Sequence, residues 1–264
     1  MKAQHTLTLH GIGAVAEYLT KPQQTGAGNS SDRSGDADFF GTDSLAEALT
    51  IARAGWTKGA QDAAKALAER KTAAGDKTKT RRTVTNYDVA GDDCDVARFC
   101  AGDPENMTEA RRVSVKGKTV RRVNVSLNFS QGVSGKKIME YAVAVCAAVQ
   151  RIEAGGNRVE LWVKKQIADR DGGPVVFAME IRVKDAGSRM HPAALAFACG
   201  HPSFYRRFLF GLVERFPARA VTKISKESYG YTVADDSTGY LTKITRCGSD
   251  SETDRAIAEI SAAK

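Results

Sequence analysis

Three consecutive segments decide the fold: VRRVNVSLNF (Val120–Phe129), GKKIMEYAVAVCAAVQRIE (Gly135–Glu153) and RVELWVK (Arg158–Lys164). In the first segment apolar and polar residues alternate from Val123 onward, which predicts a strand with one buried face. In the second, apolar residues recur every three or four positions, which predicts an amphipathic helix. The third is predicted as a further strand. Residues from Val120 to Lys165 therefore predict a strand–loop–helix–strand unit of an α/β protein.

The chain on the C-terminal side extends this unit into a predicted α/β core domain of residues 111–264. Val175–Lys184 is predicted as a strand that forms a hairpin with the strand before it, because a turn rich in Gly and Asp separates the two. Helices are expected at about Pro192–Ala198 and Pro202–Phe216, each opened by a proline. A short amphipathic helix is expected at residues 252–263. We expect a Rossmann-like sheet flanked by helices.

The N-terminal side is predicted to form a helical appendage in three parts. Residues 1–20 predict a short strand followed by a helix. Residues 21–42 have few apolar side chains and predict a flexible linker, because such a segment buries little surface on ordering. Residues 43–110 predict a helical hairpin followed by a loop rich in Asp and Gly.

Composition favours a cytoplasmic protein with an anionic partner. The 264 residues are 42% hydrophobic and contain no apolar run long enough to cross a membrane. The chain has five cysteines without a Cys-x-x-Cys pair, which argues against a disulfide framework and a zinc ribbon. The formal net charge of +8 favours nucleic acid, an anionic surface or an acidic protein as partner.

The strand-to-helix turn of the central unit resembles a known metal-binding architecture. Asn128, Ser130 and Gly132 end an apolar strand, a helix follows, and the next strand contains Val159-Glu160. This arrangement resembles the opening unit of a von Willebrand factor A-like domain of the kind found in cobalt-chelatase T-subunits. In that family an Asp-x-Ser-x-Ser loop binds one divalent cation, and the resemblance places its three ligands on Asn128, Ser130 and Gly132.

The resemblance implies a degenerate site. Asn128 replaces a carboxylate and Gly132 replaces a hydroxyl, and both losses lower the affinity for Mg²⁺, a hard ion that prefers charged oxygen ligands. We therefore expect no resident cofactor, with Mg²⁺ as the ion that the site would hold. The simpler alternative is that a strand-to-helix turn favours Asn, Ser and Gly for conformational reasons.

A wider resemblance covers most of the chain. The segments FFGTDSLAEALTIARAGW (39–56), YDVAGDDCDVARFCAGDPENM (87–107) and HPAALAFACGHPSFYRRFLFGLVE (191–214) are similar to an uncharacterised protein family of tailed bacteriophages. Together the two resemblances lead to the main hypothesis, a non-enzymatic phage-encoded interaction protein with an unidentified protein partner. They imply a place in the host cytoplasm and leave association with the virion open.

Two clusters of basic residues lead to a second hypothesis, a nucleic-acid-binding protein. On one face they would neutralise phosphates and release counterions. The alternative is a solvated hairpin edge on which basic side chains discourage aggregation. The candidate residues are Lys77, Lys79, Arg81, Arg82, Arg111, Arg112, Lys116, Lys118, Arg121 and Arg122.

An acidic loop and a His/Cys cluster are weaker candidates. The third hypothesis is an enzyme that uses the Asp-rich loop, which contains Asp88, Asp92, Asp93, Asp95 and Asp103. A solvated turn explains the same residues. Neutral imidazole and thiolate groups suit Zn²⁺, and a cap at the start of a helix explains each histidine equally well. The candidate zinc ligands are His191, Cys199 and His201.

Overall fold

The structure is a computed structural model. It describes residues 3–69, 84–111, 120–129, 132–154, 156–170, 173–188, 191–227, 229–233, 251–252, 255 and 257–258. The helices are α1 (Ile12–Tyr18), α2 (Ala37–Phe40), α3 (Leu45–Ala54), α4 (Thr57–Glu69), α5 (Val96–Cys100), α6 (Gly135–Ala154), α7 (Pro192–Gly200), α8 (Leu209–Arg215) and α9 (Arg219–Glu227). The strands are β1 (His5–His10), β2 (Val84–Asp88), β3 (Asp93–Cys94), β4 (Met107–Arg111), β5 (Val120–Ser126), β6 (Arg158–Ala168), β7 (Val175–Lys184) and β8 (Tyr231–Thr232).

A mixed sheet forms the centre of the molecule and confirms the predicted α/β class. Its strand order is β1-β7-β6-β5, and β8 pairs with the end of β6. Strands β5 and β6 are parallel and are joined by α6, so the predicted strand–helix–strand unit is present. Strands β6 and β7 form the predicted antiparallel hairpin, and β1 pairs with β7 in parallel. Within the described ranges, no helix is both long and apolar enough to cross a membrane.

The two faces of the sheet differ because side chains alternate along each strand. The face covered by helices carries Val163, Lys165 and Ile167 of β6, opposite Ile181, Met179 and Phe177 of β7. These apolar side chains belong to one core that also includes α6, α7 and α8. The other face carries ion pairs, including the one between Lys164 and Glu180 at 3.1 Å. Lys165 is therefore a cationic residue at a core position.

The segment 21–42 is packed against α8, which corrects the prediction of a flexible linker. The guanidinium of Arg207, a residue with no exposed surface, donates to the carbonyl oxygens of Ser31 (3.0 Å), Arg33 (2.7 Å) and Thr42 (2.6 Å). Glu214 accepts a hydrogen bond from the backbone N–H of Ser31 at 3.0 Å. Side chains of the C-terminal helices therefore satisfy the polar backbone of a segment that has little apolar surface of its own.

The Asp-rich region was predicted to be a loop, but in the structure it forms a small module of three strands and one helix. Strands β2, β4 and β3 make a three-stranded antiparallel sheet, with α5 between β3 and β4. Asp95 begins α5, because its carboxylate accepts hydrogen bonds from the backbone N–H groups of Ala97 (3.1 Å) and Arg98 (3.2 Å). Residues 84–111 are called the acidic module below.

Candidate functional site

A cavity of about 720 Å³ lies beside the carboxyl ends of β5 and β6. Phe129 and Lys165 line it from the sheet, and Tyr205, Arg206 and Phe210 line it from the helices. Residues of the segments 28–40 and 225–231 complete the wall. In open α/β sheets, ligands bind at the carboxyl ends of parallel strands, and this volume falls in the usual range for small-molecule pockets.

Lys165 lines this cavity with a buried amine. The residue is 3% exposed, and its Nζ lies 4.1 Å from the ring centroid of Tyr205 and 5.3 Å from that of Phe210. Burial, followed by the charge of Arg206, lowers the pKa of Lys165 from 10.5 to about 7. Among the described residues, no hydrogen-bond acceptor or carboxylate is within bonding distance of this amine. The Lys165 amine is therefore held among aromatic rings at the cavity wall.

Arg206 brings a second buried cation to the same cavity. It belongs to a π-helical turn, Phe204–Phe208, and is 4% exposed. Its guanidinium donates to the carbonyl oxygens of Phe39 at 2.7 Å and Val133 at 3.1 Å, and it lies 4.1 Å from the ring centroid of Phe39. Burial lowers the pKa of Arg206, but an arginine stays protonated at neutral pH. These two hydrogen bonds to neutral carbonyl groups orient the guanidinium at the cavity wall.

The cavity lining as a whole is rich in aromatic residues and contains more basic than acidic residues. Arg33 and Lys226 add two basic side chains, and Asp36 and Glu227 add two acidic ones. Together with Lys165 and Arg206, the lining has four cationic and two acidic residues. The aromatic residues are Phe39, Phe40, Phe129, Tyr205, Phe210, Tyr229 and Tyr231. A cavity with this lining is suited to a ligand that has an anionic group and an apolar or planar body.

A buried network holds the wall in place. Glu214 has no exposed surface, and its carboxylate accepts hydrogen bonds from the hydroxyls of Ser31 and Tyr229. The Tyr229 ring stacks on Phe210 with centroids 4.1 Å apart. Burial, followed by the hydrogen bond to Glu214, raises the pKa of Tyr229, so its hydroxyl remains a donor. The cavity wall is therefore preorganised by residues outside its lining.

The turn that resembles a metal-binding loop is used differently. Asn128 is 3% exposed; its Oδ1 accepts the backbone N–H of Gln166 at 2.9 Å, and its Nδ2 donates to the carbonyl oxygen of Val233. An amide can donate and accept at once, whereas a carboxylate can only accept, so asparagine suits this position. Gly132 is exposed, and Ser130 lies outside the described residues. Because the Asn128 oxygen is engaged by the backbone, the described residues do not fit Mg²⁺ at this loop.

The basic clusters fall mostly on residues that the structure does not describe. Lys77, Lys79, Arg81, Arg82, Arg112, Lys116 and Lys118 lie outside the described residues, and the backbone of Arg111 ends β4. Arg121 and Arg122 occupy adjacent positions of β5 and therefore point to opposite faces. The Arg122 guanidinium lies 4.4 Å from the Trp162 ring centroid and 3.4 Å from the Glu180 carboxylate.

The acidic and His/Cys candidates make local hydrogen bonds. Asp88, Asp93 and Asp103 each accept a backbone N–H within two residues, and Asp95 caps α5 as described; Asp92 is exposed in the same module. The Nδ1 atoms of His191 and His201 accept the backbone N–H groups of Ala194 and Ser203, and Cys199 is buried. Across the described part of the chain, no three His, Cys, Asp or Glu side chains come together as a metal-binding group.

Sequence reasoning missed the cavity, although two signals for it are present. In RVELWVKKQIA, Val159, Leu161, Val163 and Ile167 occupy alternate positions, and Lys165 interrupts that apolar series. In FYRRFLFGLVER (204–215), four charged residues lie within a helix that is otherwise apolar. Charged residues at core positions are rarely buried without a partner or a function, so both patterns indicate a site.

Comparison with known proteins identifies one family. No curated protein and no solved structure matches the chain. A family model described as a domain of unknown function, DUF7192, matches residues 3–263. This range includes every residue that lines the cavity, from Gly28 to Tyr231. The match spans nearly the whole chain, and the protein therefore belongs to the DUF7192 family.

Proposed function

We propose that the protein binds a small anionic ligand in the cavity between the sheet and the segments 28–40 and 225–231. The observation that carries the proposal is the presence of two buried basic side chains, Lys165 and Arg206, on the wall of one cavity. Aromatic rings that surround them provide contact area for the body of the ligand. An anion in the cavity would form charge-assisted hydrogen bonds with the Arg206 guanidinium, which lies on the cavity wall.

The energetics of burial favour this role. Removing a charged group from water costs several kcal/mol unless an opposite charge or hydrogen bonds replace the water. Arg206 has hydrogen bonds to two carbonyl groups, and Lys165 has aromatic rings, which are weaker partners. A bound carboxylate or phosphate would offset part of this cost through charge-assisted hydrogen bonds.

Proton uptake gives the proposal a specific signature. At about pH 8 the Lys165 amine is mostly neutral, because its pKa is about 7. A bound anion stabilises the protonated form and raises this pKa, so binding should take up as much as about one proton per site. An anion that binds to an exposed lysine, with a pKa near 10.4, takes up almost none at this pH.

Titration calorimetry in two buffers of different ionisation enthalpy tests the proposal, with inorganic phosphate and lactate as probes. We expect binding with proton uptake, weakened by about tenfold to a hundredfold in Lys165→Met, as for loss of a charge-assisted hydrogen bond. Lys164→Met is the matched control, since Lys164 lies on the opposite face and pairs with Glu180. No binding of either probe, or equal binding by the Lys165→Met protein, would contradict the proposal.

A second candidate function is protein interaction through the acidic module. The large apolar side chains Tyr87, Val89, Val96 and Phe99 are exposed there, Val96 by 68% and Phe99 by 64%. Residues 84–111 contain seven acidic side chains and two arginines, whereas the whole chain has a net charge of +8. Exposed apolar side chains in a module with an excess of acidic residues favour a basic protein partner. This observation agrees with the hypothesis of a phage-encoded interaction protein, which otherwise rests on resemblance.

Capture from a lysate of the native host, with and without nuclease, compares this candidate with nucleic-acid binding. We expect the protein that is retained by the wild type to be lost in a Val89→Ser/Phe99→Ser variant and to be unaffected by nuclease. Retention that nuclease abolishes, and that Arg121→Ala and Arg122→Ala weaken, would favour the nucleic-acid alternative. Retention that none of these changes alters would contradict both candidates.

A further inference from the structure

Lys165 has the surroundings of a nucleophilic lysine. An amine attacks carbonyl carbon only when it is neutral, and proteins obtain a neutral lysine by burying it in an apolar pocket or placing it beside another cation. Lys165 has both features: it is 3% exposed among aromatic rings, and the charge of Arg206 acts on it. In the part of the chain that the structure describes, no carboxylate forms an ion pair with its amine. These surroundings differ from those of a structural lysine, such as Lys184, which pairs with Glu153 at 2.7 Å.

The second cation is placed to orient a small bifunctional ligand. The Lys165 amine and the Arg206 guanidinium lie 4.1 and 6.0 Å from the centroid of the same Tyr205 ring. Because both residues line one cavity, a ligand whose anionic group contacts Arg206 lies in the same space as the Lys165 amine. Holding the reacting atoms together in this way removes much of the entropic barrier to the reaction.

We propose that the anionic ligand is a carbonyl compound and that its carbonyl carbon forms an imine with Lys165. The class comprises small 2-oxo acids and phosphorylated aldehydes, and this inference rests on the anion-binding function proposed above. The Lys165 amine, which is partly protonated when the anion binds, first gives its proton to the solvent. The neutral nitrogen then attacks the carbonyl carbon, a C–N bond forms, and a proton moves from nitrogen to oxygen to give a carbinolamine. The nitrogen electron pair then expels the hydroxyl with one proton as water, which leaves a C=N bond. The amine and the carbonyl compound give an imine and water, and no oxidant or reductant takes part.

The walls of the cavity favour this condensation. Phe129 and Phe210 line the same space as the amine, and the stacked pair of Phe210 and Tyr229 closes one side. These aromatic rings lower the local dielectric around the amine, which strengthens the contact between the anionic group and Arg206. The network around Glu214 holds this wall before the ligand arrives.

Reductive trapping tests the inference on the full chain. The protein is treated with pyruvate or pyridoxal 5′-phosphate together with cyanoborohydride, which reduces an imine to a stable amine, and the product is mapped by peptide mass spectrometry. We expect one modification per chain, located on Lys165, with at least one of the two carbonyl probes. It should persist in Lys164→Arg and be absent in Lys165→Arg. Acetone, which lacks an anionic group, should give less than a tenth of this modification.

A measurement on the wild type alone guards against misfolding of the Lys165→Arg protein. Lactate has the anionic group of pyruvate without its carbonyl, so it should protect Lys165 from trapping as its concentration rises. The two proposals fail in different ways. If lactate binds with proton uptake but neither carbonyl probe is trapped on Lys165, anion binding holds and imine formation is wrong. Modification spread over surface lysines, or unaffected by lactate, would also overturn the inference.

Discussion

Replacing Lys165 by methionine should stabilise the fold at neutral pH, and this gain should shrink as the pH rises. Methionine has a similar length and no charge, so it removes the cost of burying the amine while it keeps contact with Tyr205. In the wild type the lysine pKa is about 7 when folded and 10.5 when unfolded. Below pH 7 the amine is protonated in both states and its burial weakens the fold. Between pH 7 and 10.5 only the unfolded chain holds the proton, so the stability of the wild type rises with pH.

The magnitude follows from the two pKa values. Each pKa unit corresponds to about 1.4 kcal/mol, so the interval between 10.5 and about 7 gives a total cost of about 5 kcal/mol at low pH. The stability advantage of the Lys165→Met protein should therefore fall by about 2 kcal/mol between pH 7 and pH 9. Changes in packing around the methionine also alter the free energy of unfolding, but by the same amount at every pH. They therefore cancel when the stability difference at pH 7 is compared with that at pH 9.

Urea unfolding at pH 7, 8 and 9 measures the effect in the wild type, Lys165→Met and Lys164→Met, with the m values compared to verify two-state behaviour. Lys164→Met removes an amine from the same strand, on the opposite face and 3.1 Å from Glu180, and is the matched control. A pH-independent difference between Lys165→Met and the wild type would refute the reasoning. Such a result would mean that the amine is hydrated or paired in solution.

Three further predictions concern the residues around the cavity. Arg207→Lys should lower the free energy of unfolding by about 2–4 kcal/mol and expose the segment 29–42 to protease, because lysine cannot donate to all the acceptors of this guanidinium. Arg219→Lys on the surface is the control, and equal protease resistance of the two variants would contradict the prediction. Asn128→Asp should lower the free energy of unfolding in urea by about 2–4 kcal/mol, since a carboxylate cannot donate to the carbonyl oxygen of Val233. A variant as stable as the wild type would show that the Asn128 amide does not need to bond both Gln166 and Val233. Burial lowers the pKa of His201 to about 4 in the folded protein, while in the unfolded chain this residue is protonated below about pH 6.5. Between pH 7 and 4.5 the free energy of unfolding of the wild type should therefore fall by about 2–3 kcal/mol relative to that of His201→Gln. Parallel curves of stability against pH would disprove this.

The central unit could be predicted because its signals are local. Alternation in Val120–Phe129 and the apolar stripe of Gly135–Glu153 each fix an element within one window of sequence. The partner of β1 could not be found in this way, because its pairing with β7 joins residues far apart in the chain. The same holds for β8, which pairs with β6. Resemblance to von Willebrand A-like domains stays a prediction.

The segment 21–42 shows why composition alone misjudges order. Its few apolar side chains predicted a linker, yet its backbone oxygens are satisfied by Arg207. The sequence of the segment does not show that its carbonyl oxygens will meet the Arg207 guanidinium. Lys165 is the opposite case: its position in the alternating pattern is visible in the sequence, but the pattern does not show that a cavity lies beside it. The Asn128 loop has the spacing of a metal-binding loop, but its hydrogen bonds depend on Gln166 and Val233, which are distant in sequence.

The π-helical turn Phe204–Phe208 is a place where a change in chain length can be absorbed. A π-turn holds one residue more than the α-helical turn that could replace it. Because both kinds of turn complete about one rotation, deleting one residue here would restore regular hydrogen bonding and leave the direction of α8 nearly unchanged. Glu214 would then stay near Ser31, whereas a deletion inside α8 before Glu214 would rotate its side chain by about 100°. Natural variants of this fold should therefore accept a single-residue deletion in this turn more readily than in α8.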